Sequence, residues 1–123
     1  MIKGLRTTIY QVTDLAKAKV WYAAAFGATP YFDEPFYVGF NIGGFELGLD
    51  PDAPAPIVAG GVHTYWGVDD LDATYAHFLG LGARPHEAPK EVGGGIKVAS
   101  VLDPFGNVIG LILNPHFDVK TVR

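Results

Sequence analysis

The chain contains most of its own plan twice. Residues 7–30 read TTIYQVTDLAKAKVWYAAAFGATP, and residues 63–85 read HTYWGVDDLDATYAHFLGLGARP. At an offset of 56, Thr8 meets Thr64, Val12 meets Val68, Asp14 meets Asp70, Leu15 meets Leu71 and Tyr22 meets Phe78. One residue fewer aligns Gly27 with Gly82, Ala28 with Ala83 and Pro30 with Pro85. Two copies cannot make a solenoid, which needs at least three, so the repeat describes a duplicated supersecondary module.

Each copy has the same local grammar. A run of β-branched and aromatic residues comes first, Leu5 to Val12 and Val62 to Val68, and predicts a strand. Asp14 or Asp70 follows at a helix N-cap, where a carboxylate takes an orphan amide proton. The helices carry apolar stripes, Leu15, Ala18, Tyr22 and Ala25 in one, Leu71, Tyr75, Phe78 and Leu79 in the other. Gly27 and Gly82 then stop them.

Three shorter strands are expected in each half: Thr29–Asp33, Phe36–Ile42 and Phe45–Leu49, then Arg84–Glu87, Ile96–Leu102 and Val108–Leu113. Gly43-Gly44 suits a tight hairpin turn. Asp103-Pro104-Phe105-Gly106 has type I turn preferences. Gly93–Gly95 is expected to be a flexible loop, and Asp50 to Pro56 a semi-rigid connector. The fold class is therefore α+β: two βαβββ modules forming a cupped, half-barrel mixed sheet with helices outside. The expected organisation is one domain over 1–123, with module one at about 5–49, a linker 50–60, module two at about 61–114 and a tail 115–123. A cup of this kind leaves its inner face for a small molecule.

Composition narrows the function classes. Cysteine is absent, which excludes a disulfide scaffold, thiolate catalysis and a thiolate zinc site. A formal net charge of −4 argues against a nucleic-acid partner, which would want a concentrated basic face. At 49% hydrophobic and 18% charged residues, a packed core is expected rather than disorder. Met1 to Tyr10 lacks the features of a secretory leader, and the longest apolar run, Val20 to Phe26, is far short of the roughly 20 residues that span a bilayer. A cytoplasmic protein without a membrane partner is expected.

The two modules, the corners VTDL at 12–15 and VDDL at 68–71, and the turn DPFGN at 103–107 resemble the vicinal oxygen chelate superfamily. Its members include glyoxalase I, extradiol dioxygenases, and fosfomycin- and bleomycin-resistance proteins. The likeness runs from about Leu5 to Asn114, and DPFGNVIGLILNPHF is similar to the uncharacterised glyoxalase-like branch. The resemblance implies metal ligands on the first and last strands of each module. The first-strand positions carry Thr7 and His63. The last strand of module one offers Glu46, or Gly48 after a register shift of two, and the last strand of module two offers Gly110 where a glutamate is implied. A divalent ion wants at least three imidazole or carboxylate donors, so no cofactor and no metal are expected. Glyoxalase I activity is expected to be absent.

His63 and Glu46 are the candidate catalytic residues. Histidine is the natural proton carrier near neutral pH, and a carboxylate walled by apolar side chains is suited to accept a proton. Each has a plainer alternative, His63 as a satisfied wall residue and Glu46 as a solvated rim residue. Strand alternation adds Thr7, Ile9, Gln11, Tyr65, Gly67, Gly110, Ile112 and Asn114 to the inner face, and all but Gly67 are candidate ligand contacts. Trp66, Tyr10, Trp21, Tyr22 and Phe78 are expected in the core, and Phe32, Phe36, Tyr37 and Phe40 at the cup mouth or a subunit interface. His77, His86 and His116 are expected on the surface or in structural roles.

The leading function is binding of a small organic molecule in the cup, as in bleomycin-resistance proteins. The alternatives are a lyase, isomerase or dioxygenase with an atypical metal or metal-free site, and a non-catalytic assembly subunit. Long strand edges also predict a homodimer.

Overall fold

The computed structural model describes residues 1–55 and 62–121. The element order is βαβββ twice. Module one contains β1 (Thr7–Gln11), α1 (Leu15–Phe26), β2 (Phe32–Glu34), β3 (Tyr37–Ile42) and β4 (Phe45–Asp50). Module two contains β5 (Tyr65–Gly67), α2 (Leu71–Gly80), β6 (Arg84–Gly93), β7 (Ile96–Leu102) and β8 (Val108–Leu113), and a short 3-10 turn, Val119–Thr121, follows. Each module forms its own four-stranded mixed sheet, ordered β1-β4-β3-β2 and β5-β8-β7-β6. Residues 105–107, from the turn between β7 and β8, group with module one. There the Asn107 side-chain Nδ2 donates to the Gln11 backbone carbonyl at 2.8 Å. Of the expected connector and linker, residues 56–60 lie outside the described residues. Asp50 belongs to β4, and its carboxylate holds the Asp52 amide at 2.8 Å in the turn that follows.

The helices form where the aspartates predict. The Asp14 carboxylate accepts from the Lys17 amide and the Asp70 carboxylate from the Ala73 amide, both at 3.1 Å. Ala18, Tyr22 and Ala25 bury one face of α1. Tyr22 stacks on Tyr10 of β1 with ring centroids 5.7 Å apart and on Phe26 at 5.8 Å. Val38, Phe40, Leu47 and Leu49 complete that core, so Phe40 is an interior residue and not part of a cup mouth. In module two, Leu71 and Phe78 of α2 bury with Trp66, Ala99, Val101, Ile109 and Leu111. Trp21 is only half-buried, at the edge of the module-one core.

Three expectations need correction. The segment 93–95 is not a slack loop: Gly93 pairs with Ile96, and Gly94-Gly95 makes a two-residue hairpin turn. Both turn residues have positive φ (63° and 79°), the geometry that matches strand twist and that glycine adopts freely. Strand β6 runs past Glu87 to Gly93. It is an edge strand, so Pro85 and Pro89 remove no interior ladder bonds, and register shifts absorb the irregularity. The first of these shifts falls at His86. That histidine is half-buried, with Nδ1 2.7 Å from Ser100 Oγ, and is not a free surface residue. His116 is held structurally, Nε2 lying 2.7 Å from the Gly94 carbonyl. No helix among the described residues is long and apolar enough to cross a membrane.

The strand registers locate the positions that matter. Strand β1 runs parallel to β4, with Thr7 beside Glu46 and Ile9 beside Gly48. Strand β5 runs parallel to β8, with Tyr65 beside Gly110 and Gly67 beside Ile112. The face bearing these residues is the one each helix leaves uncovered, since Leu47, Leu49, Ile109 and Leu111 point the other way into the cores. A Cβ at Gly110 would sit 2.4 Å from the Thr64 carbonyl oxygen and 2.7 Å from the Tyr65 ring, whereas one at Gly67 would meet nothing within 4 Å. Gly110→Ala is therefore expected to lose about 1–3 kcal/mol of stability through overpacking. Gly67→Ala is expected to stay within about 0.5 kcal/mol of the parent. Urea unfolding of both variants checks the contrast, and equal losses would contradict it.

Candidate functional site

The uncovered face of module one carries Thr7, Ile9 and Gln11 from β1, Glu46, Gly48 and Asp50 from β4, and Tyr37, Gly39 and Asn41 from β3. The hairpin turn Gly43-Gly44 sets this register, placing Ile42 against Phe45, Asn41 against Glu46 and Gly39 against Gly48. The two opposed glycines make a strip of bare backbone, and the tyrosines lie across it. A Cβ at Gly48 would fall 1.9 Å from the Tyr37 hydroxyl. One at Gly39 would fall 3.3 Å from Glu46 Oε1 and 3.4 Å from the Tyr31 ring.

Glu46 is the centre of this arrangement. The Tyr37 hydroxyl donates to Oε2 at 2.6 Å, and the Tyr31 hydroxyl donates to Oε1. Both carboxylate oxygens are thus engaged by neutral phenols. A pocket of about 100 Å³ opens beside them, lined by Tyr31, Asn41, Gly44, Phe45 and Glu46. Burial pushes the Tyr37 phenol above its ordinary value of 10.0, and the negative charge of Asp50 pushes it the same way.

The remaining candidates divide between the modules. Thr7 and Ile9 are exposed on the same face as Glu46, Ile9 at 50%. Gln11 reaches instead to the Pro51 carbonyl at 3.3 Å. In module two, Tyr65 lies over Gly110, and Ile112 follows on the same face. His63 is exposed and lies before β5 begins. The Asn114 side-chain oxygen accepts from the His116 amide at 3.0 Å in a local turn beyond β8. Glu46 is thus the one proposed catalytic residue that the structure surrounds with polar partners. Tyr31, Asn41, Gly39 and Phe45 are additions the sequence reading missed. For Gly39, Asn41 and Phe45 the signal was the register that a two-residue Gly43-Gly44 turn imposes, whereas Tyr31 is placed by its backbone amide donating to the Gly39 carbonyl at 3.0 Å.

The registers also settle which last-strand position in module one corresponds to Gly110. Tyr65 lies 56 residues after Ile9, the offset of the duplication, and the two stand beside Gly110 and Gly48 in identical parallel pairings. Gly48 is therefore the counterpart of Gly110, and Glu46 sits two residues earlier, where module two has Val108. The four positions that would feed a metal hold Thr7, His63, Gly48 and Gly110, a set with one imidazole and no carboxylate. These residues do not fit a divalent ion of the zinc, nickel, iron or manganese kind. Among the described residues no three histidine, aspartate or glutamate side chains gather in a way that could hold one.

The comparisons with known proteins give the family and the fold. Residues 4–111 match the model of the Glyoxalase/Bleomycin resistance protein/Dioxygenase superfamily, and the chain belongs to that family. No curated protein matches the sequence. Among solved structures, a glyoxalase-related enzyme from Fulvimarina pelagi superimposes with a TM-score of 0.77 at 17% identity, covering 96% of this chain and 93% of that one. Lactoylglutathione lyase from Agrobacterium tumefaciens gives 0.74 at 22% identity, covering 96% and 100%. TioX from Micromonospora sp. ML1 gives 0.66 at 18% identity, covering 89% and 98%. At such identities the likeness is one of fold.

The raised Tyr37 phenol links this site to stability at high pH. In the unfolded chain the phenol ionises near 10.0, while in the folded chain it keeps its proton to higher pH. Its stabilising contribution is complete below that value and is lost as pH climbs through the raised one. Unfolding free energy measured from pH 9 upward is expected to fall less steeply in Tyr37→Phe than in the parent. Identical slopes would show that Tyr37 ionises alike in both states.

Proposed function

We propose that this chain is a small-molecule-binding member of its family that works without the family's divalent metal. Its ligand occupies the uncovered face of module one, beside Glu46. The observation that carries the reading is the Tyr31–Glu46–Tyr37 cluster over the Gly39/Gly48 strip. A carboxylate held from both sides on otherwise bare backbone is a preorganised polar contact in an aromatic surround, the usual makeup of a small-molecule site. The donor set at the family's ligand positions supports the metal-free part, and it removes glyoxalase I chemistry from the reading. A cytoplasmic homodimer without nucleic-acid or membrane partners belongs to the same reading and suits the acidic balance.

One observation favours a catalytic version. The 2.6 Å contact between Tyr37 and Glu46 is a carboxylate–phenol pair, which can pass a proton to or from a bound substrate. In that version the chain is a metal-free lyase or isomerase using Glu46 as base, and Tyr37 restores the proton.

A fragment screen read by amide ¹H–¹⁵N spectra tests the reading. Hits from the screen are expected to shift the amides of Gly39, Asn41, Gly44 and Glu46, and Glu46→Ala is expected to abolish those shifts. A screen whose hits all fall elsewhere on the chain would refute it.

A further inference from the structure

We infer that the Glu46 pocket selects an organic cation, an ammonium group carrying small alkyl substituents. This inference rests on the binding function proposed above and names the class of ligand. The donors and acceptors around the pocket set this preference. Both phenol hydrogens of Tyr31 and Tyr37 are spent on Glu46. The Gly44 amide is spent on the Asn41 side-chain oxygen at 2.8 Å. The Glu46 amide is spent on the Arg6 carbonyl at 2.8 Å. What faces the pocket is a carboxylate, two aromatic faces (Tyr31 and Phe45) and the Asn41 amide group. Such a site is rich in negative potential and repels anions, and the Asn41 NH₂ is the donor it leaves for a neutral acceptor. A cation gains from the carboxylate and from the ring quadrupoles together.

Charge balance points the same way. Lys19, Lys90 and Lys97 pair with other carboxylates, Asp33, Glu87 and Asp72, and the Glu46 oxygens are met by phenols. Glu46 is half-buried, where a charge is less screened than in open water and a counter-ion is worth more. The choice of an alkylated ammonium over a metal ion follows from desolvation. An alkali ion or hydrated divalent ion would need several oxygen donors in place of its water, and the pocket offers one carboxylate. An alkylated ammonium sheds water cheaply and fills apolar space. About 100 Å³ holds one such headgroup.

Tetramethylammonium chloride and its near-isosteric neutral partner tert-butanol are the probes, titrated into the full chain at constant ionic strength set with sodium chloride. Saturable shifts of the Gly44, Phe45 and Glu46 amides are expected with tetramethylammonium, and none with tert-butanol. Glu46→Gln is expected to weaken tetramethylammonium binding at least tenfold. Tyr31→Leu, which removes one aromatic face, is expected to weaken it severalfold and serves as the readout should Glu46→Gln unfold. Equal binding of tert-butanol, or unchanged binding by a folded Glu46→Gln variant, overturns the inference. Neutral fragments that shift this face while tetramethylammonium does not would overturn the cation preference alone. If neither class shifts it, the binding function falls as well.

Discussion

A carboxylate on an open sheet face must be solvated, paired with a cation or hydrogen-bonded, and Glu46 takes the third course through two tyrosines. The rest of module one is arranged so that it can. Tyr37 reaches Glu46 only because Gly48 and Gly39 have no side chains beneath the rings. Those glycines face each other only because the Gly43-Gly44 turn fixes the β3–β4 register. The sheet stays in place because its other face, Val38, Phe40, Leu47 and Leu49, is buried in a core completed by Tyr10 and by Ala18 and Tyr22 of α1. Burial of such side chains is worth roughly 1.5–3 kcal/mol each, and together they outweigh the few polar contacts on the uncovered face. The core therefore sets the backbone, and the backbone sets the site.

The duplication makes the two modules an internal control. Both pair their first and last strands in parallel with the same register, and both put a glycine at the equivalent point, Gly48 and Gly110. Each glycine is covered by a tyrosine, but from different strands: Tyr37 of β3 in one module, Tyr65 of β5 in the other. Position 46 is a glutamate in the first module, and its counterpart in the second is Val108. The framework is shared while the chemistry is concentrated in module one. The resemblance implies metal ligands drawn from both modules, and that asymmetry supports the metal-free reading proposed above.

Much of this was legible in the residues. The N-cap aspartates, the helix stripes and the βαβββ order follow from local rules, and the structure agrees with them. The errors came where tertiary context outweighs local signals. Three consecutive glycines suggest slackness, yet with strands on either side they make a hairpin turn. Pro85 and Pro89 suggest a short strand, yet an edge position tolerates them. Phe40 was grouped with its exposed neighbours, though alternation from Val38 sends it inward. The site was half legible. Glu46 is a carboxylate alternating with core residues, but Tyr37 becomes visible as its partner only when the β3–β4 register is written out, and Tyr31 only from its pairing with Gly39. His63 drew notice through its chemistry, and the structure places it outside the strand, exposed.

In the function proposed above, tyrosines and not a metal hold Glu46. A crystal structure grown with zinc, nickel, iron and manganese salts, with anomalous data collected at each absorption edge, tests it most directly. The expected result is the Tyr31 and Tyr37 hydroxyls on the two Glu46 oxygens and no anomalous peak bound by three or more protein donors. An ion ligated by Glu46 and at least two further side chains, with the phenols swung away, would contradict it.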